Sequence, residues 1–389
     1  MNDVPYWRLS GFYFFYFAFV GAMAPFWGLY LKSLAFNAFQ IGVLMSLLQV
    51  MRIFAPNIWG HIADRTGKRV VIVQIAALGS LLCYVGVFFG VSFWWLFVVM
   101  AGMSFFWSAS LPLVEATTLS HLKDNTQHYG RIRLWGSIGF ILVVLGLGYW
   151  FDYRPVADLP WAVLGFIAGI VLFARRIPEA AIEIHATDHL PVWQIVRRPE
   201  VWSLLVACFL MAAAHGPYYT FYSIYLVDHG YAKSTVGWLW ALGVLCEIGV
   251  FWWMPRMTHG LRLEEILLAT FAIAVVRFLL IAWAVDSLPA VLLAQTLHAA
   301  TFGAYHSAAV ALIHRHFRGR HQTRGQGLYN SIAFGAGGTL GGLYSGAAWD
   351  SLGPHATFSI AAVCAGLAFV LVAWKGQAGD LNRSAPSPG

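Results

Sequence analysis

The chain is patterned as twelve runs of about 20 predominantly apolar residues, separated by short polar turns. The first six lie near Trp7–Leu31, Ile41–Gly60, Val70–Gly90, Phe93–Leu119, Tyr129–Phe151 and Pro160–Ala174. The second six lie near Val201–Val227, Thr235–Met254, Glu265–Val285, Ala290–Ile313, Gly325–Trp349 and Ala356–Trp374. At about 1.5 Å per residue, runs of this length suit helices crossing a ~30 Å hydrocarbon core. The pattern predicts an all-α integral membrane fold with twelve transmembrane helices. Its parts are an N-terminal six-helix bundle (1–176), a linker (177–199), a C-terminal six-helix bundle (200–375) and a Gly/Ser/Pro-rich tail (376–389) expected to be disordered. The first run lacks a basic leader and is long enough to span, so it reads as a retained helix. Its aromatic stretch from Phe12 to Phe19 reads as lipid-facing bulk, Pro25 predicts a kink, and Gly21, Ala22 and Ala24 form a close-packing face.

Composition agrees. Of 389 residues, 59% are hydrophobic and 11% charged, against about 25% charged in soluble proteins. Mean hydropathy is +0.67. A net charge of +7 could point to nucleic acid, but its distribution does not. Eighteen of the 24 Lys and Arg residues fall on the side of both termini and the even-to-odd turns. Only Lys32, Arg154 and Lys233 fall on the other side, with Arg52, Arg133 and Arg277 inside runs. The positive-inside rule then places both termini in the cytoplasm, and no nucleic acid is implied. Cys83, Cys208, Cys246 and Cys364 all lie in apolar runs, indicating neither a disulfide framework nor a metal cluster.

Between the second and third runs the chain reads Gly60-His-Ile-Ala-Asp64-Arg65-Thr-Gly67-Lys68-Arg69. The glycines suit a tight turn, and Asp64 is placed to face the positive N-terminal end of the third helix. The pattern G-x-x-x-D-R-x-G-K-R resembles the signature loop of the major facilitator superfamily. That resemblance implies two six-helix bundles latched by this loop on the cytoplasmic side. An internal repeat points the same way. A shift of 195 pairs Phe26 with Phe221, Tyr30 with Tyr225, Leu31 with Leu226, Gly42 with Gly237 and Leu44 with Leu239. A shift of 194 pairs Leu134 with Leu328, Ser137 with Ser331, Ile138 with Ile332 and Phe140 with Phe334. Two parallel halves place a site at their interface. The second half lacks the signature, with Pro255 and His259 in the places of Gly60 and Asp64. The basic run His314–His321 reads as a positive-inside loop. The glycines from Gly335 to Gly342 lack a dinucleotide fingerprint, since Leu340 takes its third glycine position. Gly337/Gly341 and Gly338/Gly342 instead form small-xxx-small contact pairs. No Walker motif suggests ATP, and no cofactor is implied.

Charges inside runs carry the chemistry, because they are costly there and mark function by default. Glu115 and Arg133 flank the turn from His121 to His128 and lie roughly 8–9 Å inside two successive helices, at matched depth. Glu247, Arg277 and His298 lie about 12, 12 and 8 residues into the eighth, ninth and tenth runs, near the middle of the bilayer. An acid, a guanidinium and an imidazole at shared depth can hold and move a proton; the alternative is a static cluster holding helices together. Arg52 can snorkel or pair with Glu115 or Asp64.

At these residues V-E-A and G-R-x-R, with Glu115 18 residues before Arg133, resemble the sugar-binding acid–arginine pair of the lactose permease type. Glu247, Arg277 and His298 fall where that type has its coupling residues. Thr301 and Gln295, however, replace its protonated glutamate and its lysine, so Glu247 or Glu115 would carry the proton. Over most of its length the chain resembles the phenylpropionate permease group, through Y-G-R-I-R-L-W-G-S, A-A-His215-G-P-Tyr218-Tyr219, V-G-W-L-W-A-L-G-V, V-V-Arg277-F and Q-T-L-His298-A-A-T-F with His306 following. That group implies uptake of aromatic carboxylates with protons. Arg133 offers a planar donor fork. Trp135, Tyr218, Tyr219 and Tyr222 offer ring faces and hydroxyls, although the tyrosines equally suit core packing, and His215 offers a donor or local proton site. The expectation is a monomeric proton symporter of the cytoplasmic membrane importing a small organic solute. An aromatic carboxylate comes first and a sugar or nucleoside second, because a Glu beside Arg suits sugar hydroxyls. A non-transporting membrane sensor is the alternative of another class. No nucleophile–base or metal constellation suggests an enzyme.

Overall fold

The computed structural model describes residues 4–180, 193–318 and 321–384, and no strand occurs among them. Helices α1 (Tyr6–Ser33), α2 (Ala38–Thr66), α3 (Arg69–Val85), α4 (Phe93–Leu122), α5 (Tyr129–Tyr153) and α6 (Leu159–Ala174) come first. After the short α7 (Trp193–Val196) follow α8 (Pro199–Ala214), α9 (Gly216–Asp228), α10 (Lys233–Gly260) and α11 (Leu263–Trp283). Then come α12 (Leu288–His298), α13 (Tyr305–His316), α14 (Gln322–Tyr329) and α15 (Gly338–Ser384). A π-helical segment, Ala299–Ala304, joins α12 to α13, and another, Asn330–Gly337, joins α14 to α15. Ten helical stretches among the described residues are long and apolar enough to cross a membrane. The stretch Arg324–Trp374 is broken at Gly353 (φ 86°) and contains both the eleventh and twelfth predicted runs. The tenth predicted run is the π-interrupted helix spanning 288–316, so every predicted run has its helix.

Local chemistry sets the ends. Asn37 opens α2 with a reciprocal cap: its side chain accepts from Gln40 N–H at 2.9 Å, while the Gln40 side chain accepts from Asn37 N–H at 3.2 Å. Gly67 closes α2 in the left-handed region (φ 65°), donating to the Ala63 carbonyl at 2.9 Å. Ser92 caps α4.

The chain packs as two units. The first comprises Met1–His185 with Tyr218–Ala241. Within it α1 packs on α5 and α6, and α4 on α2 and α3. Packing on α4, where Tyr13 bonds Thr118 and Tyr16 and Phe19 meet Trp107, corrects the expectation for part of the aromatic run. Phe12, Tyr13 and Phe19 are wholly buried and Tyr16 nearly so, rather than lipid-facing, while Phe14, Phe15 and Phe17 stay partly exposed. The second unit comprises Ala186–Pro217 with Leu242–Gly389. There α15 packs on α8 and α11, and α11 also meets α12 and α13. Gly337 and Gly341 press against α8, as their spacing predicts: a β-carbon on Gly341 would stand 2.7 Å from the Ala213 carbonyl oxygen. Most of the predicted linker lies outside the described residues. The helical backbone of α15 runs on to Ser384, into the stretch expected as a disordered tail.

Candidate functional site

In the first unit, α4 and α5 each bring one charged side chain to a cluster lined by α1. Tyr129 and Arg133 are four residues apart, and so are Tyr13 and Phe17, which places each pair on one helix face. The Tyr129 hydroxyl donates to Glu115 Oε1 at 3.1 Å. The Arg133 guanidinium lies over the Phe17 ring, 3.8 Å from its centroid, and 5.9 Å from that of Tyr13. Among the described residues neither Glu115 nor Arg133 joins an ion pair. The two charges sharing a depth are therefore held by different partners, a phenol and an aromatic face. Tyr13 bonds Thr118 at 3.3 Å. Tyr16 stacks on Trp107 at 4.6 Å, with the rings 11° apart. Arg52 settles into neither predicted pairing: it donates to Gln49 at 3.2 Å and stands 6.0 Å from the Trp107 ring. Trp107 is 3% exposed, and its indole N–H meets no acceptor among the described residues.

Trp135 is placed elsewhere. Its indole N–H donates to Tyr6 at 3.1 Å, and its ring meets the exposed Trp7 edge-on. Tyr218, Tyr219 and Tyr222 gather around Trp240. Tyr218 lies 4.8 Å from Trp240 and 4.9 Å from Tyr222 by ring centroids, with Tyr219 6.1 Å from Trp240. Trp240 is oriented by its bond to Ser223 at 3.1 Å.

The second unit assembles Glu247, Arg277 and His298 with His215. Arg277, fully buried on α11, donates to the Ala294 carbonyl at 3.0 Å, to Thr301 at 3.3 Å and to His215 Nε2 at 3.3 Å. His215 Nδ1 meets the Met211 carbonyl at 2.8 Å. A carbonyl only accepts, so His215 is the neutral Nδ1–H tautomer and its Nε2 accepts from the guanidinium. His298 Nε2 meets Glu247 Oε1 at 2.9 Å, with side chains 6% and 13% exposed. The His215 and His298 rings are 6.1 Å apart, so the two pairs adjoin. Thr301 sits in the π segment, the kind of irregularity that recurs at functional sites.

The signature stretch is mostly helix. Residues Gly60 to Thr66 continue α2, Gly67 and Lys68 turn the chain, and Arg69 starts α3. Asp64, Arg65, Gly67 and Lys68 are exposed, while Arg69 donates to Ser120 at 3.4 Å. The anion at the α3 N-terminus is Glu179, not Asp64: its carboxylate accepts from Val70 N–H at 3.1 and 3.2 Å. Arg8, Gln74 and His121 bond the carbonyls of Arg176, Ala174 and Pro178 at 3.2, 3.2 and 3.1 Å, fastening this stretch to α1, α3 and α4.

Sequence reading passed over Tyr129, Tyr13, Phe17 and Trp107. The four-residue spacing of Tyr129 from Arg133 and of Tyr13 from Phe17 is a signal that could have found three of them.

The MFS_1 like family matches residues 6–360. A "Probable 3-phenylpropionic acid transporter" of Escherichia coli (strain K12) is 30% identical over 363 residues, covering 92% of this chain and 94% of that protein. The "Maltose permease" of Geobacillus stearothermophilus is 27% identical over 374 residues, covering 93% of each. The crystal structure of nucleoside transporter NupG superposes with a TM-score of 0.82 at 16% identity, covering 96% of this chain and 98% of that one.

Proposed function

We infer the function from one premise: this chain belongs to the MFS_1 like family and is a multi-pass membrane transporter with the major facilitator fold, not an enzyme. It is a proton symporter of the bacterial cytoplasmic membrane, with both termini cytoplasmic, and works as a monomer by alternating access. Its preferred cargo is an aromatic carboxylate such as 3-phenylpropionate. The observation carrying this reading is the disposition of Arg133. Its charge lies over an aromatic ring and joins no carboxylate among the described residues, while Glu115 is engaged by Tyr129. A planar donor fork flanked by ring faces suits a carboxylate attached to a phenyl group. Trp135, bonded to Tyr6 away from this cluster, has no part in the reading. The Tyr218–Tyr222 group with Trp240 would add ring faces, and His215 would act through Arg277. Glu247, paired with His298, would carry the proton. The exposed Asp64–Lys68 segment would serve as the gating loop.

A sugar or nucleoside is the second reading. It is favoured by the Glu115 carboxylate, whose oxygens suit hydroxyl donors, and by the maltose and nucleoside transporters among the similar proteins. The test is uptake of radiolabelled 3-phenylpropionate, maltose and uridine into proteoliposomes under an inward proton gradient, comparing wild type with Arg133→Ala. Gradient-driven accumulation of phenylpropionate alone, lost in the variant, supports the first reading. Accumulation of maltose or uridine instead overturns the cargo. Uptake indifferent to the gradient overturns symport, and specific binding without uptake would mark a sensor.

A further inference from the structure

The face of the π-interrupted helix that carries His298 continues past it. The rings of His298 and Phe302 stack at 5.6 Å and 17°, and those of Phe302 and His306 at 6.2 Å and 10°. Glu247, on the facing α10, lies against this face between the two histidines. A β-carbon built on Gly303 would stand 3.7 Å from Glu247 Cγ, and Gly303 is five residues beyond His298 and three before His306. The absent side chain leaves the glutamate room to turn along the helix.

His306 is also held by a hydrogen bond: its Nδ1 meets the Tyr329 hydroxyl at 3.2 Å. The neighbouring Tyr305 donates to the Cys208 carbonyl at 3.3 Å. A phenol oxygen accepts as well as donates, so Tyr329 can accept from His306 Nδ1–H. That tautomer keeps an open lone pair on Nε2. The titratable groups facing His306 are Glu247 from α10 and Tyr329 from α14, with Tyr305 beside it and Cys208 of α8 behind Tyr305.

We propose that His306 is a proton-relay residue: Glu247, released from His298, turns across Gly303 and delivers its proton to His306 Nε2. This rests on the symport reading above. The carboxylic proton passes to the imidazole, leaving a carboxylate and an imidazolium. The imidazolium then gives one proton to water and returns to neutral. His306 lies roughly 12 Å beyond His298, towards the side that the charge bias assigns to the cytoplasm, where an imported proton must leave. Tyr329 is a positioning residue that holds the ring by Nδ1 and leaves Nε2 towards Glu247.

The test uses full-length protein in proteoliposomes and whichever of 3-phenylpropionate, maltose or uridine wild type exchanges. Gradient-driven accumulation and gradient-free equilibrium exchange are both measured. His306→Gln is expected to lower accumulation at least tenfold while exchange stays within about twofold of wild type. Tyr329→Phe is expected to lower accumulation less, three- to tenfold, and to shift its pH profile with exchange intact. Wild-type accumulation in His306→Gln overturns the relay. Equal loss of accumulation and exchange in both variants also overturns it, since that is the mark of packing. Wild type that exchanges but never accumulates label removes symport itself, and the relay with it, an outcome separate from the other two.

Discussion

Two glycines on one helix should respond to the same substitution with opposite signs. Gly146 and Gly148 both lie within α5, two residues apart. A β-carbon on Gly146 meets nothing within 4 Å, whereas one on Gly148 would stand 2.8 Å from the Lys233 carbonyl oxygen and 3.1 Å from Ser234 Cα. The obstacle is backbone, which cannot rotate aside as a side chain can. It is also pinned, because Asp152 accepts from Ser234 N–H at 3.2 Å and Trp238 donates to Tyr149 at 2.9 Å. Gly146→Ala should therefore show only the helix-propensity gain of about 0.5–1 kcal/mol. Gly148→Ala carries the same gain against an overpacking cost of about 1–3 kcal/mol. The variants should thus differ by about 1–3 kcal/mol, with Gly148→Ala the less stable. Thermal unfolding of purified protein, followed by tryptophan fluorescence, reads this directly, the chain having 18 tryptophans. Equal and parallel shifts in the two midpoints would falsify the close approach of α5 to the start of α10.

Replacing Arg133 should separate charge from geometry. Arg133→Ala is expected to weaken substrate binding at least 100-fold, and Arg133→Lys about tenfold, because lysine keeps the charge but loses the planar fork; titration calorimetry measures both. Glu247→Gln should abolish gradient-driven accumulation in proteoliposomes while equilibrium exchange persists, since an amide can neither take up nor release the proton. The Lys32–Asp228 pair closes to 2.5 Å, but its side chains are 45% and 44% exposed. Lys32→Ala should therefore cost under about 1 kcal/mol, and a larger drop in the unfolding midpoint would show the pair to be less screened than its exposure implies.

Every membrane-spanning helix was legible from the apolar runs, because such a helix must be long, apolar and internally hydrogen-bonded. The family was legible from the Asp64–Arg69 motif. What the runs do not encode is which way a residue faces and whom it meets. Phe12 and Phe19 look alike whether they face lipid or protein, and only the structure, which sets Phe19 on Trp107 of α4 at 5.2 Å between ring centroids, decides for burial. Glu179 lies in a stretch read as linker, yet it caps α3 in place of Asp64, because a cap is assigned by where the chain returns in space.

Matched depth is likewise a weaker guide than it first looks. Glu115 and Arg133 share a depth, but the phenol of Tyr129 and the ring of Phe17 take them as partners. Glu247 and His298 share a depth and do meet. The difference lies in azimuth, which depends on helix winding. In a regular α-helix four residues overshoot a full turn by about 40°, so His298, Phe302 and His306 would drift progressively around the axis. The wider π winding over Ala299–Ala304 offsets that drift, and the three rings stay stacked on one face. No apolar count or motif announces a π segment. The alignment that makes His306 a relay candidate had to come from the structure, while the histidines themselves were in plain view in the sequence.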